Sequence, residues 1–229
     1  MPIAVFTAAS TAHIAKVRHN RVLCIGGGGS SGAASGTVSN TGGGAGGQSA
    51  LSRRQLVPGT SYTVAVGQAV AGSTTTNALA GSDTTFNATN VVAKGGAGSA
   101  LNSVGATAGT GVNGSTASGV GDTVRAGGNG ANGAALGAAP GGGGGGSAGY
   151  AAAGGNASAG TAGTGDSPGG AGGAGGVVNT AGPVGVNPGG AGGGAQANIT
   201  TDQAGSGTSR GECRIDWIPP CSLLLLGVG

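Results

Sequence analysis

Gly141-Gly142-Gly143-Gly144-Gly145-Gly146 and, further along, Gly169-Gly170-Ala171-Gly172-Gly173-Ala174-Gly175-Gly176 are the stretches whose reading decides the fold. Glycine loses more backbone entropy on ordering than any other residue, so an ordered glycine run needs a structure that only glycine permits. Polyproline II geometry is one. It turns once every three residues and makes no hydrogen bonds with itself, so every N–H and C=O is left for neighbouring segments. In that geometry the glycine-glycine-alanine repeat presents two bare faces and one methyl-bearing face, which suits a segment with neighbours on two sides. The six-glycine run is bare on all three faces, as a segment in the centre of a bundle must be. Collagen requires glycine at every third position, and Ala131-Asn132-Gly133-Ala134-Ala135-Leu136-Gly137 breaks that rule. One chain folding back on itself therefore fits better than three chains winding together. The competing reading is a disordered low-complexity segment.

Outward from these runs, residues 95–207 carry only Asp122, Arg125, Asp166 and Asp202 as formal charges, with Tyr150 the sole aromatic and no His or Cys. The chain as a whole has 59 glycines in 229 residues, 2% aromatic and 7% charged residues. A large core of Phe, Leu and Ile is thus excluded, and the fold must rest on backbone pairing and close packing of small side chains. Net charge is +3. No acid precedes Asp83, whereas Lys16, Arg18, Arg21, Arg53 and Arg54 do. Such a patch suits nucleic acid, a phosphate-rich surface or an acidic protein, or is simply a solvated strand face; no aromatics interleave with it to stack bases.

Short strands flank the glycine-dense region. Residues 13–25 read as a strand with a break or bulge at His19-Asn20, residues 49–56 as another, and Pro58-Gly59 as a turn. Residues 61–67 place Tyr62, Val64 and Val66 on one face, and residues 83–86 and 91–93 bracket a turn. Glu212-Cys213-Arg214-Ile215-Asp216-Trp217-Ile218 alternates, with Cys213, Ile215 and Trp217 on one side. It is the expected partner of the opening strand, with Trp217 covered by Ile14, Val22 or Tyr62. Gly27, Gly29 and Gly32 spell G-x-G-x-x-G after a strand, yet no helix pattern and no ribose-binding acid follow, so the dinucleotide reading fails. Cys24, Cys213 and Cys221 form no zinc spacing; a Cys24–Cys213 disulfide requires the chain ends side by side, and reduced buried thiols are the default. The N-terminus lacks the basic n-region of a signal peptide, and the apolar tail, residues 222–229, is too short to span a bilayer.

In order, Val22-Leu23-Cys24-Ile25-Gly26-Gly27-Gly28-Gly29, the Pro-Gly-Thr-Ser-Tyr-Thr-Val-Ala-Val-Gly motif of residues 58–67, Thr84-Thr85-Phe86 leading to Val91-Val92-Ala93-Lys94-Gly95-Gly96, the long Gly/Ala/Asn region and the closing strand form a series. That series resembles the glycine-rich proteins and domains of bacteriophage tail fibres and tail tips, over most of residues 12–218. The resemblance implies stacked polyglycine II helices and a role as a tail adhesin.

The expected fold is therefore all-β and irregular with almost no α-helix. Residues 1–94 form a strand-rich base with the first glycine loops, 95–209 a polyglycine II bundle and 210–229 a closing strand and apolar tail. The expected function is non-enzymatic: a virion structural protein, made in the host cytoplasm without a signal peptide, oligomeric beside other virion proteins and touching host-surface polysaccharide or protein. No cofactor, metal, specific nucleic acid or membrane insertion is expected. Asp122, Arg125, Tyr150 and Asp166, read as lying on connecting loops, are the scarce residues able to contact sugar or phosphate. Gly141 to Gly146 and Trp217 are the structural positions. Head-fibre or capsid-decorating proteins use the same physics; ice-binding polyglycine proteins and mycobacterial-type glycine-alanine surface proteins share the composition.

Overall fold

The computed structural model describes residues 3–34, 39–72, 78–100, 118–134, 140–197 and 202–217. The readings of Ile218, Cys221 and the apolar tail lie outside these residues. Among them the fold is all-β with antiparallel sheets and no helix. The strands are β1 (Ile3–Phe6), β2 (Ser10–Ile14), β3 (His19–Ile25), β4 (Ser39–Asn40), β5 (Ser49–Gln55), β6 (Ser61–Ala65), β7 (Thr84–Phe86), β8 (Val91–Ala93), β9 (Thr123–Arg125), β10 (Gln196–Ala197) and β11 (Glu212–Trp217).

A five-stranded sheet of order β1-β11-β3-β5-β9 and a four-stranded sheet of order β2-β6-β7-β8 share one core, and β10 and β4 form a separate pair. The closing strand does lie on the opening one: Cys213 pairs with Cys24 and Ile215 with Val22. Alternation then sends Val22, Cys24, Ala50, Cys213 and Ile215 toward Val64, Val66, Phe86 and Val91 of the facing sheet. Trp217 is only half-buried at the margin of this core, with the Lys16 ammonium 5.0 Å from its ring centroid. Of its expected covers, Val22 and Tyr62 belong to the core, whereas Ile14 is 61% exposed. The two thiols are buried with no disulfide between them, and Cys24 Sγ donates to Cys213 Sγ at 3.8 Å.

Residues 13–25 are not one strand. Asn20 Nδ2 donates to the carbonyl oxygens of Val17 at 2.8 Å and Arg18 at 3.3 Å, closing a turn that sends β2 to one sheet and β3 to the other. Gly59, at φ 83°, completes the turn after Pro58 as expected.

Beyond the ends of β3, β5 and β11 the glycine segments hydrogen-bond to one another with a period of three. Gly142, Gly145 and Ala148 donate to Thr41, Gly44 and Gly47; Gly141, Gly144 and Ser147 donate to Gly176, Gly173 and Gly170; Gly143 and Gly146 donate to Ala159 and Gly155. The carbonyls of the same run accept from three further segments: Gly143 from Ala131, Gly144 from Gly163 and Gly145 from Ala191. Among the described residues, the run at 141–148 thus has six bonded neighbours, three through its donors and three through its acceptors. Residues 141–149 are all buried.

Residues 26–34 repeat the pattern, with Gly26 and Gly29 donating to Gln48 and Ala45, Gly27 and Ser30 to Ser82 and Leu79, and Gly28, Ser31 and Ala34 to Ser209, Ser206 and Gln203. The glycine layer therefore draws on both sides of residue 95. In the glycine-glycine-alanine stretch, Gly170, Gly173 and Gly176 donate to residues 188–194 and Gly172 and Gly175 to residues 160–163. Ala174 is exposed and Ala171 half-buried, so the methyl-bearing face is the outer one.

Candidate interaction sites

Strand direction fixes the polarity of the molecule. β3 runs from His19 into the glycine segment at residues 26–34, so His19 marks the pole facing away from the glycine layer. Antiparallel pairing brings Gln55 of β5 and Trp217 of β11 to that same pole, where they meet His19 and Asn20. The early run of basic residues gathers here. Three adjoining clefts of about 360, 330 and 340 Å³ share Arg53 or Gln55 and are lined by Arg18, His19, Arg21, Arg53 and Arg54.

Several of these cations have partners. Arg18 holds the Gln55 Oε1 atom at 2.8 Å, and Arg54 donates to the Asn90 carbonyl oxygen. Arg21 grips Asp216, whose residue is 1% exposed, through Nε at 2.8 Å and through Nη2. The hydrogen bond to Asp216 raises the Arg21 pKa against the opposing pull of partial burial. Tyr150 donates its hydroxyl to the same Asp216 oxygen at 3.3 Å, and the Arg21 guanidinium lies 4.7 Å from its ring centroid. Burial first, and the Asp216 charge second, push the Tyr150 phenol up.

Of the four residues expected to contact a surface, Arg125, Tyr150 and Asp166 lie where strands meet glycine segments, whereas Asp122 lines one of the basic clefts. Arg125 lies in β9, half-buried, opposite Ser49 of β5. Asp122 is exposed and accepts the Arg53 backbone N–H at 2.8 Å; that bond, with help from the Ser52 hydroxyl, lowers its pKa. Asp166 accepts the N–H groups of Ala151 and Ala152, both at 2.9 Å, and so holds the turn that carries Tyr150. Tyr150 is thus bound to the carboxylate partner of Arg21, and Asp122 lines a cleft with Arg21.

A different surface stands toward the far end of the glycine layer. Segment 126–134 leaves β9 and bonds back onto the central run, Gly128 to Gly146 and Ala131 to Gly143. There Asn129, Asn132, Asn156 and Ser158 line a depression of about 700 Å³ that, among the described residues, contains no charge. Sequence reading passed over these asparagines because amide and hydroxyl side chains are common throughout the region; only the spacing of bonds between segments brings residues 129–132 beside 156–158. Asp216 was legible as the outer face of the closing strand, but its bond to Tyr150 spans 66 residues and leaves no local signal.

No curated protein matches the sequence. The model of a family described as a glycine-rich domain matches residues 7–218, which takes in every strand from β2 to β11 and the whole hydrogen-bonded glycine layer. The chain belongs to the glycine-rich domain family.

Proposed function

We propose that this protein is a non-enzymatic virion component of the bacteriophage tail-fibre or tail-tip kind, in which a bundle of polyglycine II segments forms a rigid body that contributes to host attachment. The observation that carries the reading is the threefold pattern around residues 141–148, where successive N–H groups turn to three different segments. A β-strand alternates between two sides, whereas a threefold helix addresses three. Such a body needs no apolar core. Its rigidity comes from backbone bonds, which suits a part exposed to mechanical load outside a cell.

The sandwich that joins opening and closing strands supports the same reading, for it ties both ends of the glycine layer into one base. The neutral depression at Asn129, Asn132, Asn156 and Ser158 is the surface better suited to a host polysaccharide, since amides pair with sugar hydroxyls without paying to desolvate a charge. Of the residues first expected to make that contact, Tyr150 is tied to Asp216 and Asp166 to two backbone N–H groups.

The test is detection of the protein in purified virions by immunogold labelling, with adsorption of the isolated protein to host cells. Labelling at tail tips and saturable adsorption are expected. Absence from virions, or thermal hysteresis in solution, would overturn the proposal, the latter in favour of ice binding.

A further inference from the structure

We propose that the open edge of β5 beside the basic groove is a docking site for an extended acidic peptide segment of another protein, which joins the five-stranded sheet as an added strand. This site does not depend on the virion reading. The ladder between β3 and β5 runs the full length of both strands, from His19↔Gln55 to Ile25↔Ser49. On its other side β5 is covered by β9 only at Ser49, Ala50 and Leu51. Residues 52–55 therefore have β3 on one side and, among the described residues, no strand on the other. The Arg53 N–H points out of this edge, where the Asp122 carboxylate takes it. Since strand N–H and C=O groups alternate in direction, those of Gln55 point the same way as those of Arg53. Backbone groups at this spacing are read by another extended peptide, not by a glycan or a phosphodiester.

Charge specifies the side chains of the guest. Arg21 and Arg53 stand directly opposite each other in the β3–β5 ladder; Arg21 is paired with Asp216, which leaves the Arg53 guanidinium to meet an incoming carboxylate. Arg54, His19 and Arg18 continue the groove, and among the described residues Asp122 is the one acid lining it. A second copy of this chain does not supply the guest, because its own acids are engaged: Asp83 by Lys94, Asp166 by two N–H groups, Glu212 by Arg214 and Asp216 by Arg21, with Asp202 also partnered. Nucleic acid is disfavoured because, among the described residues, no Phe, Tyr or Trp lines the groove and His19 is its single ring on which a base would stack.

Fluorescence anisotropy with a fluorescein-labelled peptide of alternating glutamate and threonine tests the site on the full chain. A second peptide of the same sequence, N-methylated at alternate residues, keeps the charge and loses the N–H groups that face the edge. The proposal expects saturable binding of the first peptide and a loss of about tenfold or more for the methylated one, since two or more strand hydrogen bonds are removed. Arg53→Glu combined with Arg54→Glu should weaken the first peptide by a similar factor or more. Failure of the first peptide to bind, or equal binding of both peptides, would overturn edge docking. A single-stranded oligonucleotide that displaces the peptide at lower concentration would overturn it in favour of nucleic acid. The peptide pair decides the matter even if the double variant does not fold.

Discussion

Gly143→Val is the perturbation that bears hardest on the glycine layer. A Cβ built on Gly143 would sit 2.6 Å from the Thr161 carbonyl carbon and closer still to its oxygen, with Ala162 N at 3.1 Å. These are backbone atoms, so no side chain can swing aside. Segment 161–166 would have to move away, and with it the bond from Gly163 N to Gly144 O. Overpacking of this kind costs about 1–3 kcal/mol. The Gly143 N–H bond to Ala159 and the Ala131 bond to the Gly143 carbonyl flank the same site. Losing two buried bonds adds about 1–3 kcal/mol for each group left unsatisfied. The sum is about 4 kcal/mol or more, a large share of the 5–15 kcal/mol typical of a folded domain. For a chain of this length each kcal/mol moves Tm by about 2–4 °C, so a drop of about 10 °C or more is expected in a calorimetric melt. Ala174→Val, on the exposed methyl-bearing face, is the control and should stay within about 0.5 kcal/mol of wild type. A Gly143→Val protein that melts with the wild type would refute the reasoning.

Other outcomes follow from the same structure. Burial and the nearby Lys16 lower the His13 pKa, so the unfolded chain takes up this proton first; stability should be full above the ordinary value of 6.5 and fall as pH drops through the lower folded one. Urea titrations from pH 7 to 5 should show that slope, and His13→Gln should flatten it. Asp122, whose pKa is depressed mainly by the Arg53 N–H, contributes stability above the usual carboxylate range that is lost in acid, so Asp122→Asn should differ from wild type at pH 6 and converge with it near pH 2. In a Cys221→Ser background, Cys24 and Cys213 are both buried, and the hydrogen bond from Cys24 and then burial raise the Cys213 thiol, so a thiol reagent should label neither until the protein unfolds. Half-burial of Trp217 predicts emission to the blue of free indole, shifting red on unfolding; native emission already at the hydrated wavelength would contradict its place at the core margin.

The elements that sequence made legible are those with local alternation or punctuation. Strands β6, β7, β8 and β11 follow from their valines and aromatics, and the turn at Gly59 from its proline. The break between β2 and β3 was visible only as imperfect alternation, because what makes it is one side chain, Asn20, bonding back to Val17 and Arg18. Strand β9 was missed: three residues inside a glycine-dense stretch carry no period, and it exists because Thr123, Val124 and Arg125 meet the end of β5. Its shortness is what leaves the β5 edge open, so the basic run was legible as charge but not as a groove. Tyr150 and Arg125 stood out by rarity alone, and rarity proved a guide to the junction that holds the layers together.

The central claim is that residues 141–148 address three neighbours in turn. Through-hydrogen-bond scalar couplings in the deuterated, isotope-labelled protein measure this directly by pairing each amide with its accepting carbonyl. The account predicts that the amides of Gly142, Gly143 and Gly144 couple to Thr41, Ala159 and Gly173, and that Gly145 returns to the first partner segment at Gly44. Partners that alternate between two segments, as in a β-sheet, or amides with no coupled carbonyl at all, would contradict it.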